Sequence, residues 1–212
     1  KYHHGRRGTD YEVEEKEDSV KVIYTYHLAT RPAMDCKVSY TVFPDGEIQV
    51  SLDMDPSSEV GELPEFSMMF GLDYDLHHLK WYGKGPEETY ADRQNAKIGI
   101  YENDVMDNMA KYLVPQECGN KMDVRFAELT DDRGRGIRFN CNHLQFSALP
   151  WTPQEVENAT HQNELPLPVR TCVRVGEQMG IAGDDTWGAL THPEFMLDNK
   201  KPMNITFSFR GI

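Results

Sequence analysis

Residues Cys36 to Phe43 read CKVSYTVF, Pro44-Asp45-Gly46 follows, and Glu47 to Met54 read EIQVSLDM. In the first run Val38, Tyr40 and Val42 share one parity. In the second, Ile48, Val50, Leu52 and Met54 do. Successive side chains of a strand point to opposite faces, so each run presents one apolar face. Between them, proline presets φ, aspartate bonds its own backbone, and glycine accepts a positive φ. The stretch predicts a β-hairpin.

The same reading extends in both directions. Val20 to Leu28 (VKVIYTYHL) is rich in β-branched and aromatic residues and predicts a strand. Further strands are predicted at Phe66 to Leu72, Leu76 to Tyr82, Ile98 to Tyr101, Val124 to Leu129, Ile137 to Asn140, Leu144 to Leu149, Thr171 to Val175 and Asn204 to Phe209. Asp131-Asp132-Arg133-Gly134 reads as a second hairpin turn. Thr152-Pro153-Gln154-Glu155 is a capping box with proline at the first helical position, opening a short helix that ends near His161. Asp104 to Lys111 offers another turn of helix, and Glu12 to Asp18 reads as a solvated turn or edge. Many short strands, Gly and Pro turns and one short helix predict an all-β antiparallel sandwich, a single domain over 1–212.

Composition narrows the function classes. The 212 residues carry 35 acidic against 22 basic side chains, a formal net charge of −13. Nucleic-acid affinity rests on Lys and Arg at phosphates, so no nucleic-acid partner is expected. No apolar run is long enough for a membrane-spanning helix, and no apolar stretch follows the basic start, so neither a membrane partner nor a signal peptide is expected. Cys36, Cys118, Cys141 and Cys172 lack CxxC spacing and are too sparse for a disulfide scaffold, which leaves buried free thiols. Carboxylates accept hydrogen bonds from hydroxyls, so a sugar suits this chain.

Catalytic constellations are hard to assemble. A retaining glycosidase needs two carboxyls about 5–5.5 Å apart. Glu87-Glu88 and Asp184-Asp185 are sequence neighbours, which on a strand face opposite ways, so no catalytic pair is assigned. The eight histidines form no HExxH; His77-His78 falls in a predicted strand, where the rings diverge, and no metal site is assigned. No GxSxG elbow is present, and Gly83-Lys84-Gly85-Pro86 reads as a turn leaving a strand. Aromatics beside acids remain. Trp187 follows Gly183-Asp184-Asp185-Thr186, a loop composition. An aromatic there either offers a flat face to a sugar, with Asp184 and Asp185 holding hydroxyls, or packs over a neighbouring loop.

Four segments carry a resemblance: Leu79 to Arg93 (LKWYGKGPEETYADR), Tyr112 to Asn120 (YLVPQECGN), Asp123 to Phe126 (DVRF) and Gln178 to Gly188 (QMGIAGDDTWG). In order and spacing the chain resembles the C-terminal, or small-chain, domain of the large β-galactosidases of glycoside hydrolase family 2. The resemblance is firm from about Leu63 onward and looser over the first hairpin. It implies a β-supersandwich like that of galactose mutarotases. It also implies that the catalytic glutamates and an assisting magnesium sit on a separate TIM-barrel domain, so that no cofactor is expected on this chain. The small-chain domain closes over the barrel mouth, and its Gly-Asp-Asp-Ser/Thr-Trp loop brings a tryptophan to the sugar; here that position is Trp187.

Further implications concern the parent. It would hydrolyse terminal β-D-galactosides as a homo-oligomer, and the chain alone would be inactive. The family usually has Glu-Asn-Gly where this chain has Glu117-Cys118-Gly119, and Asn and Pro where it has Thr89 and Ala91. The family domain usually opens with an Arg-Ala-Pro-x-Asp-Asn motif, absent here, so the N-terminal part of the domain is expected to be missing. Three rivals differ in what they need. A carbohydrate-binding module needs affinity in isolation. A mutarotase-type epimerase needs two of His143, His161 and His192 to converge with a glutamate in one cleft. A structural domain would only stabilise an oligomer.

Overall fold

The computed structural model describes residues 6–57, 59, 61–181 and 188–212. Twelve strands account for nearly half of these. They are β1 (Arg6–Lys16), β2 (Ser19–Leu28), β3 (Met34–Val42), β4 (Ile48–Met54), β5 (Glu65–Asp73), β6 (His78–Gly85), β7 (Lys97–Asp104), β8 (Phe126–Thr130), β9 (Gly136–Asn140), β10 (Gln145–Leu149), β11 (Arg170–Gln178) and β12 (Met203–Gly211). The helix α1 (Pro153–Asn158) is closed by the predicted box: Thr152 accepts from the Glu155 N–H, and Glu155 reaches back to the Thr152 N–H. A 3-10 turn at Val105–Asn108 fills the second helical expectation.

All strand pairs are antiparallel and form two sheets. One has nine strands in the order β1-β2-β3-β4-β12-β9-β8-β6-β7, the other three in the order β10-β11-β5. The β3–β4 hairpin forms as expected, with Val38 opposite Leu52 and Tyr40 opposite Val50. Its turn is closed by the Gly46 N–H on the Phe43 carbonyl, and Gly46 has φ 85°. Register then carries the apolar face across the sheet. Ile48 sits opposite Phe209, Phe209 opposite Phe139, Phe139 opposite Ala127, Ala127 opposite Trp81 and Trp81 opposite Tyr101.

The small sheet packs onto this row. Phe70 of β5 lies 5.6 Å from Phe139, 6.0 Å from Phe207 and 5.6 Å from Phe209, centroid to centroid. Val173, Val175, Phe146 and Ala148 join the same buried cluster. Two sheets meeting through their apolar faces make a sandwich. Cys36, Cys118, Cys141 and Cys172 are all buried free thiols.

Most strand ends move by a few residues, and three differences from the sequence reading matter more. The acidic stretch belongs mostly to β1, the edge strand of the large sheet. Alternating charge on an edge discourages pairing with other chains, which is why it does not read as a core strand. β6 starts at His78 and runs through Gly83 and Lys84 to Gly85, so the Gly-Lys-Gly stretch is strand rather than turn. α1 ends at Asn158, short of His161.

Candidate functional site

The small sheet has a second face, and it is polar. Ser147 and Arg174 sit opposite each other across β10 and β11, so their side chains share that face, away from Phe146 and Val173. Arg174 is nearly sealed, with 4% of its side chain exposed. Its guanidinium donates to Ser147 Oγ at 3.0 Å, Glu65 Oε2 at 3.0 Å and Glu117 Oε1 at 2.6 Å. Burial works against the charge, but Glu65 and Glu117 outweigh it and hold the group protonated. Glu117 is fixed from the other side by the Tyr90 hydroxyl at 3.2 Å.

Around this pair three of the four motif segments, Leu79 to Arg93, Tyr112 to Asn120 and Gln178 onward, knit together. The Thr89 N–H donates to the Asn120 carbonyl at 2.8 Å, and Asn120 Nδ2 returns a bond to the Thr89 carbonyl at 2.9 Å. Asn120 Nδ2 also reaches Gln145 Oε1 at 2.6 Å, and Gln145 Nε2 donates to the Gln178 carbonyl at 3.0 Å. Glu88 accepts from the Gly119 N–H at 2.7 Å, from the Tyr112 hydroxyl at 2.5 Å and from Arg93. The departures from family usage fit this frame. Thr89 Oγ1 accepts the Met122 N–H at 2.9 Å, and Cys118 buries its thiol against Met109 Sδ.

Asp92 lies in the tight turn that joins Tyr90 to Arg93, two members of this network. One carboxylate oxygen accepts the Ile181 N–H at 3.1 Å, the other the Thr191 hydroxyl at 3.1 Å. The Gly180 N–H is held by the Phe195 carbonyl at 2.9 Å. A Cβ at Gly180 would lie 2.5 Å from Asp92 Cγ, so only glycine admits this approach. Asp92 therefore ties together the two flanks of segment 182–187. Trp187, Asp184 and Asp185 fall in that segment and lie outside the described residues. Sequence reasoning quoted Asp92 within a motif but missed its role.

A cavity of about 350 Å³ opens at this foot, lined by Ala91, Gln94, Asp123, His143, Gln178 and Phe195 among others. His143 Nδ1 lies 2.6 Å from Asp123 Oδ1. Asp123, Asn142 and His143 are the non-glycine residues with positive φ among the described residues. Such backbone clusters near clefts and ligand clamps. His161 and His192 do not line this cavity; they pair with Glu164 and Glu194. The convergence that an epimerase requires is not found among the described residues.

The other two tryptophans are held by packing. Trp81 is buried, donates Nε1–H to the Lys84 carbonyl at 3.0 Å, and lies under Lys121 Nζ at 4.8 Å. Trp151 is buried and donates to the Pro166 carbonyl at 2.8 Å. Glu88 is spent in the network and Glu87 is exposed, so this pair has no shared site. The expected divergence of His77 and His78 is corrected. His77 precedes β6, so strand alternation does not apply, and the two rings stand 4.1 Å apart.

Strand order, sandwich and a polar cover built from dispersed segments define one kind of domain, and comparison with known proteins names its family. Residues 2–210 match the family described as "Beta galactosidase small chain", and the chain belongs to it. It is 39% identical to a β-galactosidase of Halalkalibacterium halodurans over 98% of this chain and 21% of that protein. It is 31% identical to a β-galactosidase small subunit of Latilactobacillus sakei, over 93% of this chain and 66% of the subunit. The chain thus spans about a fifth of the length of the first relative. A solved Escherichia coli structure described as an aldose 1-epimerase aligns over 96% of the chain with 9% identity and a TM-score of 0.37, too distant to bear on function.

Proposed function

We propose that this chain is the part of a β-galactosidase that closes over a barrel active site and offers Trp187 as the aromatic platform for the galactosyl ring. Asp184 and Asp185 shape the segment or meet sugar hydroxyls. The catalytic glutamates and the assisting magnesium belong to the parent's barrel domain, and the parent is a homo-oligomeric hydrolase of terminal β-D-galactosides. The observation that carries the reading is Asp92, whose carboxylate accepts the Ile181 N–H and the Thr191 hydroxyl and so holds together the chain on either side of 182–187. Held flanks suit a residue that must meet a ligand at a fixed position, because a shorter free span has less conformational entropy to lose on binding.

The test uses the full-length parent. Trp187→Ala should raise KM about 5- to 30-fold, the scale of about 1–2 kcal/mol for an aromatic contact. The melting temperature should stay unchanged, and Trp187→Phe should recover part of the loss. An unchanged KM with a lower melting temperature would assign Trp187 to packing. The chain alone should not cleave a chromogenic β-galactoside; turnover surviving repurification would overturn the division of labour.

A further inference from the structure

At the start of β6, two backbone elements bring nitrogen and oxygen donors together. His77 and His78 lead into β6, and Asp132 sits in the turn between β8 and β9. One donor atom from each lies within 4.8 Å of the others. Both imidazole Nε2 atoms face the same carboxylate oxygen: His78 Nε2 is 2.7 Å from Asp132 Oδ1, and His77 Nε2 is 3.5 Å from it.

The surroundings fix these donors. His77 Nδ1 lies 2.5 Å from Asp104 Oδ2. An imidazole that gives its Nδ1–H to a carboxylate presents a bare Nε2 lone pair, the arrangement that supports histidine ligation of metals. Asp104 is itself held, since its other oxygen caps the 3-10 turn through the Met106 N–H at 2.9 Å. The His77 carbonyl accepts the Val105 N–H at 2.8 Å. The turn carrying Asp132 is pinned by Asp131, which accepts the N–H groups of Arg133 and Arg135 at 2.9 Å each. Asp132 itself is 83% exposed and free to adjust.

The geometry points to a divalent transition-metal site formed by His77 Nε2, His78 Nε2 and Asp132 Oδ1, with Asp104 as the residue that orients His77. Tetrahedral ligands about 2.0–2.2 Å from a metal stand about 3.3–3.5 Å apart. The His77–Asp132 separation of 3.5 Å already has that value, and the His78–Asp132 contact reaches it by a small swing of an exposed side chain. Two imidazoles and one carboxylate select zinc and its late first-row neighbours over magnesium and calcium, which take oxygen ligands. Three protein ligands leave the remaining position to solvent.

Isothermal titration of the chain with zinc chloride at pH 7.5 tests the assignment. One zinc should bind per chain at this site, undisturbed by millimolar magnesium. His78→Ala and Asp132→Asn, both on the surface, should each weaken it at least about tenfold. Asp104→Asn keeps the cap acceptor and should weaken it by about 10-fold as a positioning effect. His27→Ala and His143→Ala should change nothing. Nitrogen NMR of the wild type gives a reading independent of any variant: zinc should perturb Nε2 of His77 and His78 and leave Nδ1 of His77 protonated. Absence of single-site binding, zinc affinity unchanged in His78→Ala and Asp132→Asn, or unperturbed Nε2 signals would overturn it.

Discussion

The β3–β4 hairpin and the polar cover of the small sheet are both buried, yet they are built in opposite ways. The hairpin needs only local rules. Its apolar residues alternate, its turn is Pro-Asp-Gly, and its partners are 6 to 18 residues apart. The cover consists of charged and amide side chains whose partners lie far apart in sequence. Arg174 reaches Glu65 across 109 residues, and Ile181 reaches Asp92 across 89. Burying apolar side chains is favourable nearly anywhere in a core, whereas burying an arginine is tolerable only when specific acceptors arrive. The first region secures the fold; the second fixes where one segment leaves it.

That contrast predicts different responses to truncation. Arg174→Ala leaves Glu65 and Glu117 without their cation and should destabilise by about 3–5 kcal/mol in urea unfolding. Adding Glu65→Gln and Glu117→Gln should return much of the loss, because no buried charge then stays unpaired. Leu52→Ala in the hairpin leaves a cavity and should cost about 2–5 kcal/mol, with no polar change able to rescue it. Failure of the charge-removing rescue would mean that Arg174 contributes by packing.

A pH experiment separates the regions further. Lys121 bonds the Pro86 carbonyl at 3.0 Å, and burial holds its pKa down at about 8 from 10.5. The unfolded chain therefore binds more protons than the native one between about pH 8 and 10.5, so Lys121 makes stability rise with pH there. Its penalty of about 3 kcal/mol is fully present below pH 8. Burial raises the thiols of Cys36, Cys118 and Cys172 from 9.0 to about 11, which makes stability fall with pH above about 9. The wild type minus Lys121→Met difference isolates the lysine and should narrow from pH 8 to 9. A flat difference would contradict the burial account. Leu52→Ala should show the wild-type profile.

The smallest expected effect is local. Thr152→Ala removes one half of the α1 capping box and should cost about 1 kcal/mol. It should leave the wild-type pH profile of stability in place, since no group of the cover is touched.

These differences explain what the sequence made legible. Period-two runs located β2 to β4 and β8 to β12, and Thr152 to Glu155 located α1, because each signal lies within a few residues. β1 escaped because alternating acids and lysine look solvated. β6 was placed early because His77 seemed to continue it. The site was legible only as motifs. Nothing local distinguishes Asp92 from the many other acids, since its role depends on the Ile181 N–H and the Thr191 hydroxyl. Likewise Asp132 looked like turn chemistry, and only the sheet register brings it to His77 and His78.

On the proposed function Asp92 acts through Trp187, and a double-mutant cycle on KM in the full-length parent separates this from independent action. Asp92→Asn should raise KM when Trp187 is present. In the Trp187→Ala background it should raise KM no further, because the anchor then has no platform to position. If the two effects multiply instead, Asp92 and Trp187 act independently and the anchored-platform account is contradicted.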